Sequence, residues 1–333
     1  MAIRIGIDVG GTKIEGIALD GSLDVGRTRV ATPRGNYAAT VGAIAEVVAA
    51  LEQHTPPGSR FSGAPVATVG VGIPGALSPS TGLVKNANSS WLIGKPLQRD
   101  LEARLGRPVR IANDANCFAV SEAADGAGAG ADVVFGVIVG TGTGGGIVVK
   151  GWAMSGPNAI AGEWGHNPLP WAEADDVPGP PCYCGRRGCI ETFLSGPGLA
   201  AEFEHRAHER AEPPDIVARA AAGDRAAEAT LACYEHRMAR ALAAVINLLD
   251  PDVIVLGGGV SNIDRLYVNV PRLWSAFVFA ADGERLGTGP ESPETGSPIS
   301  RADARVKTRL VRAHHGDASG VRGAAWLWED MRR

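Results

Sequence analysis

The 333-residue chain has no excess of positive charge: 32 Lys and Arg stand against 36 Asp and Glu, leaving −4 with histidine neutral. That balance excludes a basic nucleic-acid footprint as its main business. It also has no long apolar run. The uncharged stretch from Val133 to Val149 is interrupted by six glycines and falls short of the roughly 20 apolar residues of a spanning helix. Asp8 sits inside the opening apolar segment, so no secretory leader is expected. The Walker sequence G-x4-G-K-[ST] is absent, which removes P-loop chemistry. A cytoplasmic protein with neither membrane nor nucleic-acid partner is therefore expected. What is present suffices for a core. Hydrophobic residues make up 45% and exclude wholesale disorder, despite 45 glycines and 22 prolines. The length suits about two domains at ~100–200 residues each.

Along the chain, Ile3, Ile5, Ile7 and Val9 alternate as in a strand, Gly10-Gly11-Thr12 turns, and Lys13 to Asp20 returns. A helix is predicted over 37–53, a strand over 66–73, a short helix over 96–105, and a strand over 109–112 that delivers Asn113-Asp114. The second half opens on the same plan: strand 133–139, glycine turn 140–145, return strand 146–150. This predicts an internal duplication of architecture without duplication of sequence. A long helix follows over 224–249, with Leu231, Tyr234, Met238, Leu242, Val245 and Leu249 on one face. A buried strand over 253–256 leads into Gly257-Gly258-Gly259, and a final helix covers 319–331. Residues 282–300, rich in Gly, Pro, Ser and Glu, read as a flexible surface excursion.

Three features carry chemistry. A turn of small residues exposes several backbone N–H groups that can hold phosphate oxygens, and two such turns head the related halves. Gly140 to Gly145 also fits G-x-G-x-x-G, the dinucleotide fingerprint, but that motif must open a helix and here precedes Ile147-Val148-Val149. The nicotinamide-enzyme rival is demoted accordingly. Five cysteines is an odd count, and Cys182, Cys184 and Cys189 crowd together downstream of His166. In a large cytosolic chain this favours metal over disulfides, and three thiolates with one imidazole make a closed tetrahedral zinc set. Against it stands a spacing, C-x-C-x4-C, unlike standard fingers. The remaining histidines are taken as structural. Asn113-Asp114, between a strand and a helix, reads by itself as a helix cap.

Together these segments resemble the ROK family of sugar kinases over nearly the whole chain. The carriers are Asp8 to Lys13, Gly72-Ile73-Pro74-Gly75, Asn113 to Asn116, Gly140 to Gly145, Glu163-Trp164-Gly165-His166, Cys182 to Glu191, and Gly257 to Gly259. Lys85 to Leu92 and Ala161 to Pro170 look most like bacterial fructokinases with manno(fructo)kinase character. The resemblance implies an α/β, actin-like and ribonuclease-H-like fold of two domains with an interdomain cleft. The expected domains are 1–114 with 317–333, and 115–316 with the zinc loop at 166–191.

It further implies an ATP- and Mg²⁺-dependent hexose kinase. The γ-phosphoryl group would pass to the 6-hydroxyl of fructose, with mannose as a second substrate. N-acetylglucosamine kinase or glucokinase is the alternative. A sugar-responsive ROK regulator is the non-enzymatic one, the weaker because the chain opens directly in its first strand. An ATPase without a sugar is disfavoured by the cysteine cluster and by Glu163 and Glu191. By residue match, Asp114 is the general base, and Asn88, Asn113, Glu163, His166 and Glu191 read sugar hydroxyls. Asp8, Gly10, Gly11, Thr12 and Lys13 form the first phosphate hairpin. Gly140, Thr141, Gly142, Thr143, Gly144 and Gly145 form the second, and Gly257, Gly258 and Gly259 pack on adenosine. His166, Cys182, Cys184 and Cys189 hold structural zinc, fixing Glu163 and Glu191, and a homodimer is expected.

Overall fold

The computed structural model describes residues 3–54, 67–279 and 306–328. The excursion expected at 282–300 lies outside them. Strands β1 (Arg4–Val9), β2 (Lys13–Asp20) and β3 (Leu23–Ala31) form a meander, followed by helix α1 (Tyr37–His54). Then come β4 (Thr68–Ile73), the small hairpin β5 (Ala76–Leu77) and β6 (Val84–Lys85), α2 (Leu97–Leu105), β7 (Val109–Asn113) and α3 (Asp114–Asp125). The first sheet has the order β3-β2-β1-β4-β7, with β1, β4 and β7 parallel. Its core is aliphatic: Ile5, Ile7, Ile44, Val48, Val69 and Val71 are fully buried.

The second half repeats the plan. Strands β8 (Val133–Val139), β9 (Thr143–Val149) and β10 (Trp152–Ala153) precede α4 (Ile190–Leu194), α5 (Gly196–Ala207), α6 (Pro213–Ala221) and α7 (Arg225–Leu249). The chain then runs through β11 (Val253–Gly257), α8 (Leu266–Trp274), β12 (Arg309–Arg312) and α9 (Ser319–Trp326). The second sheet is ordered β10-β9-β8-β11-β12, so an antiparallel hairpin again leads a parallel partner. The return strand begins at Thr143, three residues before the expected start, because Val139 already pairs with Thr143 across a tight turn. The strand after the glycines confirms that Gly140 to Gly145 opens no helix. β3 went unforeseen, its alternation masked by charged and small residues, as in LDVGRTRVA.

Contacts divide the chain into two compact units. One is Met1–Gly165 with Val253–Asn262 and Val311–Arg333; the other is His166–Asp252 with Ile263–Leu310. This partition differs from the expected boundary after residue 114, since the β8–β9 hairpin belongs to the first unit. Within that unit α3 packs on β8 and β9 and on α9, which lies against β1, β2 and β4. α9 ends at Trp326, short of the expected 331.

The second unit centres on α7, whose N-terminus is capped by the Asp224 carboxylate accepting from Ala226 and Ala227 N–H. Leu231, Tyr234, Met238, Leu242 and Ile246 form its buried face, while Val245 and Leu249 are only half-buried. Arg237 and Arg240 are also buried there, each 2.8 Å from the Asp176 carboxylate, which ties the 174–176 turn to the helix. Two charges held by one carboxylate suit a buried pair only because the geometry is close and the partner's other oxygen is used.

Candidate functional site

The strand ends of the first unit set the site. β7 ends in Asn113, whose Oδ1 accepts the Ala115 N–H at 2.9 Å and whose Nδ2 donates to the Gly75 carbonyl at 3.2 Å. This is an N-cap, and it aims the next residue, Asp114, from the first turn of α3. Asp114 Oδ1 accepts the same Ala115 N–H at 2.8 Å. Burial pushes the Asp114 carboxyl up, the Ala115 N–H pulls it down, and the charge of Glu163 adds to the rise. Asp8, next to last in β1, is pushed up to about 6, by burial first and then by the charges of Asp114 and Glu15.

Asp8 and Asp114 line one cavity of about 540 Å³ with Gly10, Gly11, Asn88 and Gly258. Six residues nominated from separate stretches of sequence thus share one wall. Gly258 has φ +82°, and a Cβ there would lie 2.4 Å from the Val139 carbonyl oxygen, so only glycine lets β11 turn so close to β8. The loop before α9 is anchored by Glu122 of α3. The Glu122 carboxylate accepts the His314 and His315 N–H groups at 2.9 and 3.2 Å and the Ser319 hydroxyl at 2.7 Å. Gly316 and Gly320, on that anchored segment, also line the cavity. His315, taken as structural, has a definite partner: its Nε2 lies 2.8 Å from Asp125 Oδ1.

Other nominated residues are placed differently. Thr12 gives its carbonyl to the Thr32 N–H at 3.0 Å. Lys13 reaches Glu15 at 3.0 Å rather than standing on the cavity wall, and Arg29 meets the same carboxylate at 2.8 Å. In the second hairpin the Gly140 N–H closes on the Gly142 carbonyl at 2.9 Å, Thr141 shares the turn, and Thr143, Gly144 and Gly145 are already in β9. Gly257 ends β11 against the Phe118 ring, and Gly259 begins the following 3-10 turn.

Glu163 is held within the first unit. The segment 161–165 is laid on the β8–β9 hairpin: a Cβ on Gly165 would lie 2.0 Å from the Thr143 carbonyl oxygen. Trp164, 5% exposed, packs edge-on to Phe135 at 5.7 Å. These contacts seat Glu163 on the hairpin, alongside whatever a metal at His166 contributes.

In the second unit His166, Cys182, Cys184 and Cys189 bring their ligand atoms within 4.8 Å of one another. His166 Nδ1 lies 3.5 Å from Cys182 Sγ, and Cys184 Sγ 3.6 Å from Cys189 Sγ. Tetrahedral zinc with bonds of ~2.0–2.3 Å needs donors roughly 3.5–3.8 Å apart, so the set fits the ion. The Arg186 N–H holds the Cys184 thiol down to about 7, which favours the ligating thiolate. Glu191 Oε1 lies 4.0 Å from Cys182 Sγ, so this carboxylate does sit beside the cluster. Ligation through Nδ1 leaves His166 Nε2 for a second partner, which is the Tyr183 hydroxyl at 2.9 Å.

Among the cavity residues that escaped sequence reasoning, one is charged. Arg34 lines the wall, and its Nε donates to the Gly11 carbonyl at 2.6 Å. Its signal was the Thr32-Pro33-Arg34-Gly35 turn, invisible without β3 to bring it beside the first hairpin.

A profile of the ROK family matches residues 4–288. The chain belongs to the ROK family. An N-acetyl-D-glucosamine kinase of Shigella boydii is 40% identical over 97% of this chain and 98% of its own length. A ROK hexokinase from Thermus thermophilus superposes with a TM-score of 0.77 at 28% identity, covering 98% of this chain and 97% of that one. A ROK family glucokinase from Streptomyces griseus, in complex with glucose and AMPPNP, gives 0.69 at 27% identity, covering 98% and 99%. This ROK chain has the expected actin-like, ribonuclease-H-like α/β fold. Among its described residues no helix is long and apolar enough to cross a membrane.

Proposed function

We propose that this ROK protein is an ATP-dependent kinase that phosphorylates the 6-hydroxyl of N-acetylglucosamine. The observation that carries the kinase reading is the placement of Asp114. It is capped into the first turn of α3 and shares a cavity with the Gly10-Gly11 hairpin and Gly258. Phosphoryl transfer demands mainly positioning and charge neutralisation, with one carboxylate in reach of the attacking hydroxyl. In this reading the Asp114 carboxylate takes the proton of the 6-hydroxyl while that oxygen attacks the γ-phosphorus and ADP leaves. Gly10 and Gly11 approach the phosphates, and Gly258 the adenosine. Asn88, Asn113 and Glu163 orient the sugar.

Two carboxylates in one cavity, with Asp8 raised to about 6, make a hard-oxygen donor set that a divalent cation relieves. Asp8 would hold Mg²⁺ brought by the nucleotide, which supplies neutralisation of the phosphates. Zinc at His166, Cys182, Cys184 and Cys189 is structural, since four protein ligands leave no open position.

Fructose, the first expectation from sequence, ranks behind N-acetylglucosamine. The supporting fact is a relative of that name, 40% identical over 97% of this chain. Pro74 and Trp91 on the cavity wall offer an apolar surface for an N-acetyl methyl group, which fructose lacks. A coupled assay with ATP, Mg²⁺ and fructose, mannose, glucose or N-acetylglucosamine tests the reading. The highest kcat/KM is expected for N-acetylglucosamine. A highest value for fructose restores the fructokinase reading, and inactivity on all four overturns the kinase.

A further inference from the structure

Among the residues lining the cavity, Arg34 is the single cation, facing two carboxylates, Asp8 and Asp114. The Lys13 ammonium, which does not line the cavity, pairs with Glu15 at 3.0 Å while its charge still pulls the Asp8 carboxyl down. A nucleotide entering here adds negative charge to a site that is already negative. Arg34 is the cationic side chain of the wall itself that can answer it. Its Nε bond to the Gly11 carbonyl, at 2.6 Å, orients the guanidinium and uses one of five N–H donors. The others form the planar fork that matches phosphate oxygens. The neighbours of Arg34 in the chain touch both the first hairpin and the Trp91 side of the wall. Thr32, two residues earlier, is pinned to the first hairpin through its hydroxyl on the Gly10 carbonyl at 2.7 Å. A few residues later, Thr40 of α1 accepts from Trp91 Nε1 at 3.2 Å, next to the wall that carries Asn88.

We propose that Arg34 contacts the phosphoryl group in flight and is a catalytic residue of this kinase. The inference rests on the kinase reading above. As the γ-phosphorus–oxygen bond to ADP breaks and the bond to the sugar oxygen forms, charge spreads over the equatorial oxygens. The Arg34 guanidinium donates to those oxygens and stays protonated throughout. Arginines placed this way are worth roughly 10³–10⁵ in kcat in other phosphoryl transferases.

The bland alternative is that Arg34 merely fastens the hairpin through Gly11. Arg34→Gln separates the two, because its amide can still donate to the Gly11 carbonyl but carries no charge. The expected result is a kcat at least ~100-fold lower, with the sugar KM within ~3-fold and an unchanged melting temperature. Arg34→Ala with added guanidinium chloride is the second measurement, and partial recovery of kcat is expected. A Gln variant within ~3-fold of wild-type kcat, or no recovery of the Ala variant by guanidinium, overturns the proposal. Wild-type protein inactive on every sugar overturns the kinase reading instead, and is seen before any variant is made.

Discussion

Asp8 and Asp114, at the ends of two strands separated in the sheet by β4, line the same cavity, and the charge of Asp114 helps push Asp8 up to about 6. Lys13 opposes that rise at Asp8, and Arg34 lines the same wall. Buried acids of this kind are costly in the empty protein, and this is how active sites hold chemistry at the expense of stability.

Replacing the base tests the assignment directly. Asp114→Asn should keep the fold and the nucleotide affinity, since the Asn113 cap on α3 is untouched, while kcat falls by about 10²–10⁴-fold. Because burial raises the Asp114 carboxyl, wild-type kcat/KM should climb with pH as the group ionises, and the variant should lose that limb. Near-normal turnover by Asp114→Asn leaves Asp114 as a helix-starting residue only.

For Asp8 the sign of the effect on stability follows from its raised value. Between the ordinary 3.8 and about 6 the folded state holds a proton that the unfolded chain has released. Stability of the nucleotide-free protein should therefore fall as pH rises through that window, by about 3 kcal/mol in total. Asp8→Asn should melt higher than wild type at pH 8 and alike at pH 4. Equal melting temperatures at both pH values would show that the carboxylate is not buried at a cost.

The seat of Glu163 is tested by crowding it. Gly165→Ala sets a methyl 2.0 Å from the Thr143 carbonyl oxygen, and backbone must move on both sides. A loss of roughly 1–3 kcal/mol is expected by chemical denaturation, with a raised sugar KM. Wild-type values for both would show that segment 161–165 does not depend on the hairpin.

Metal removal now has a narrower expected effect. Cys184→Ser should lower zinc content from one ion per chain and loosen the loop that carries Glu191. Nucleotide binding, and the position of Glu163, should survive, because their contacts lie in the other unit. Metal analysis with separate titrations of ATP and sugar checks this; unchanged zinc, or lost ATP binding, overturns it.

Local patterns were enough for much of this protein. Alternation in Ile3 to Val9, small residues at Gly10-Gly11, and the apolar period of α7 act over a few neighbours, so the two strand–turn–strand halves and the cysteine knuckle can be read from the chain. The cap at Asn113-Asp114 is likewise a local event, whereas the role of Asp114 as base came only from the family resemblance. Tertiary structure decided what stands beside what. Arg34 reached the cavity only because β3, unseen in the sequence, pairs with β2 and returns its end to Gly11. Lys13 pairs with Glu15, two residues on along the same strand and on the same side, while its charge still reaches Asp8. Glu163, three residues from His166 of the Cys/His cluster, is nevertheless seated on β9, because close approach at Gly165 is a contact between segments twenty-two residues apart. Sequence periodicity reports the faces of elements; charge pairing and van der Waals contact across elements depend on distances that only the folded chain sets.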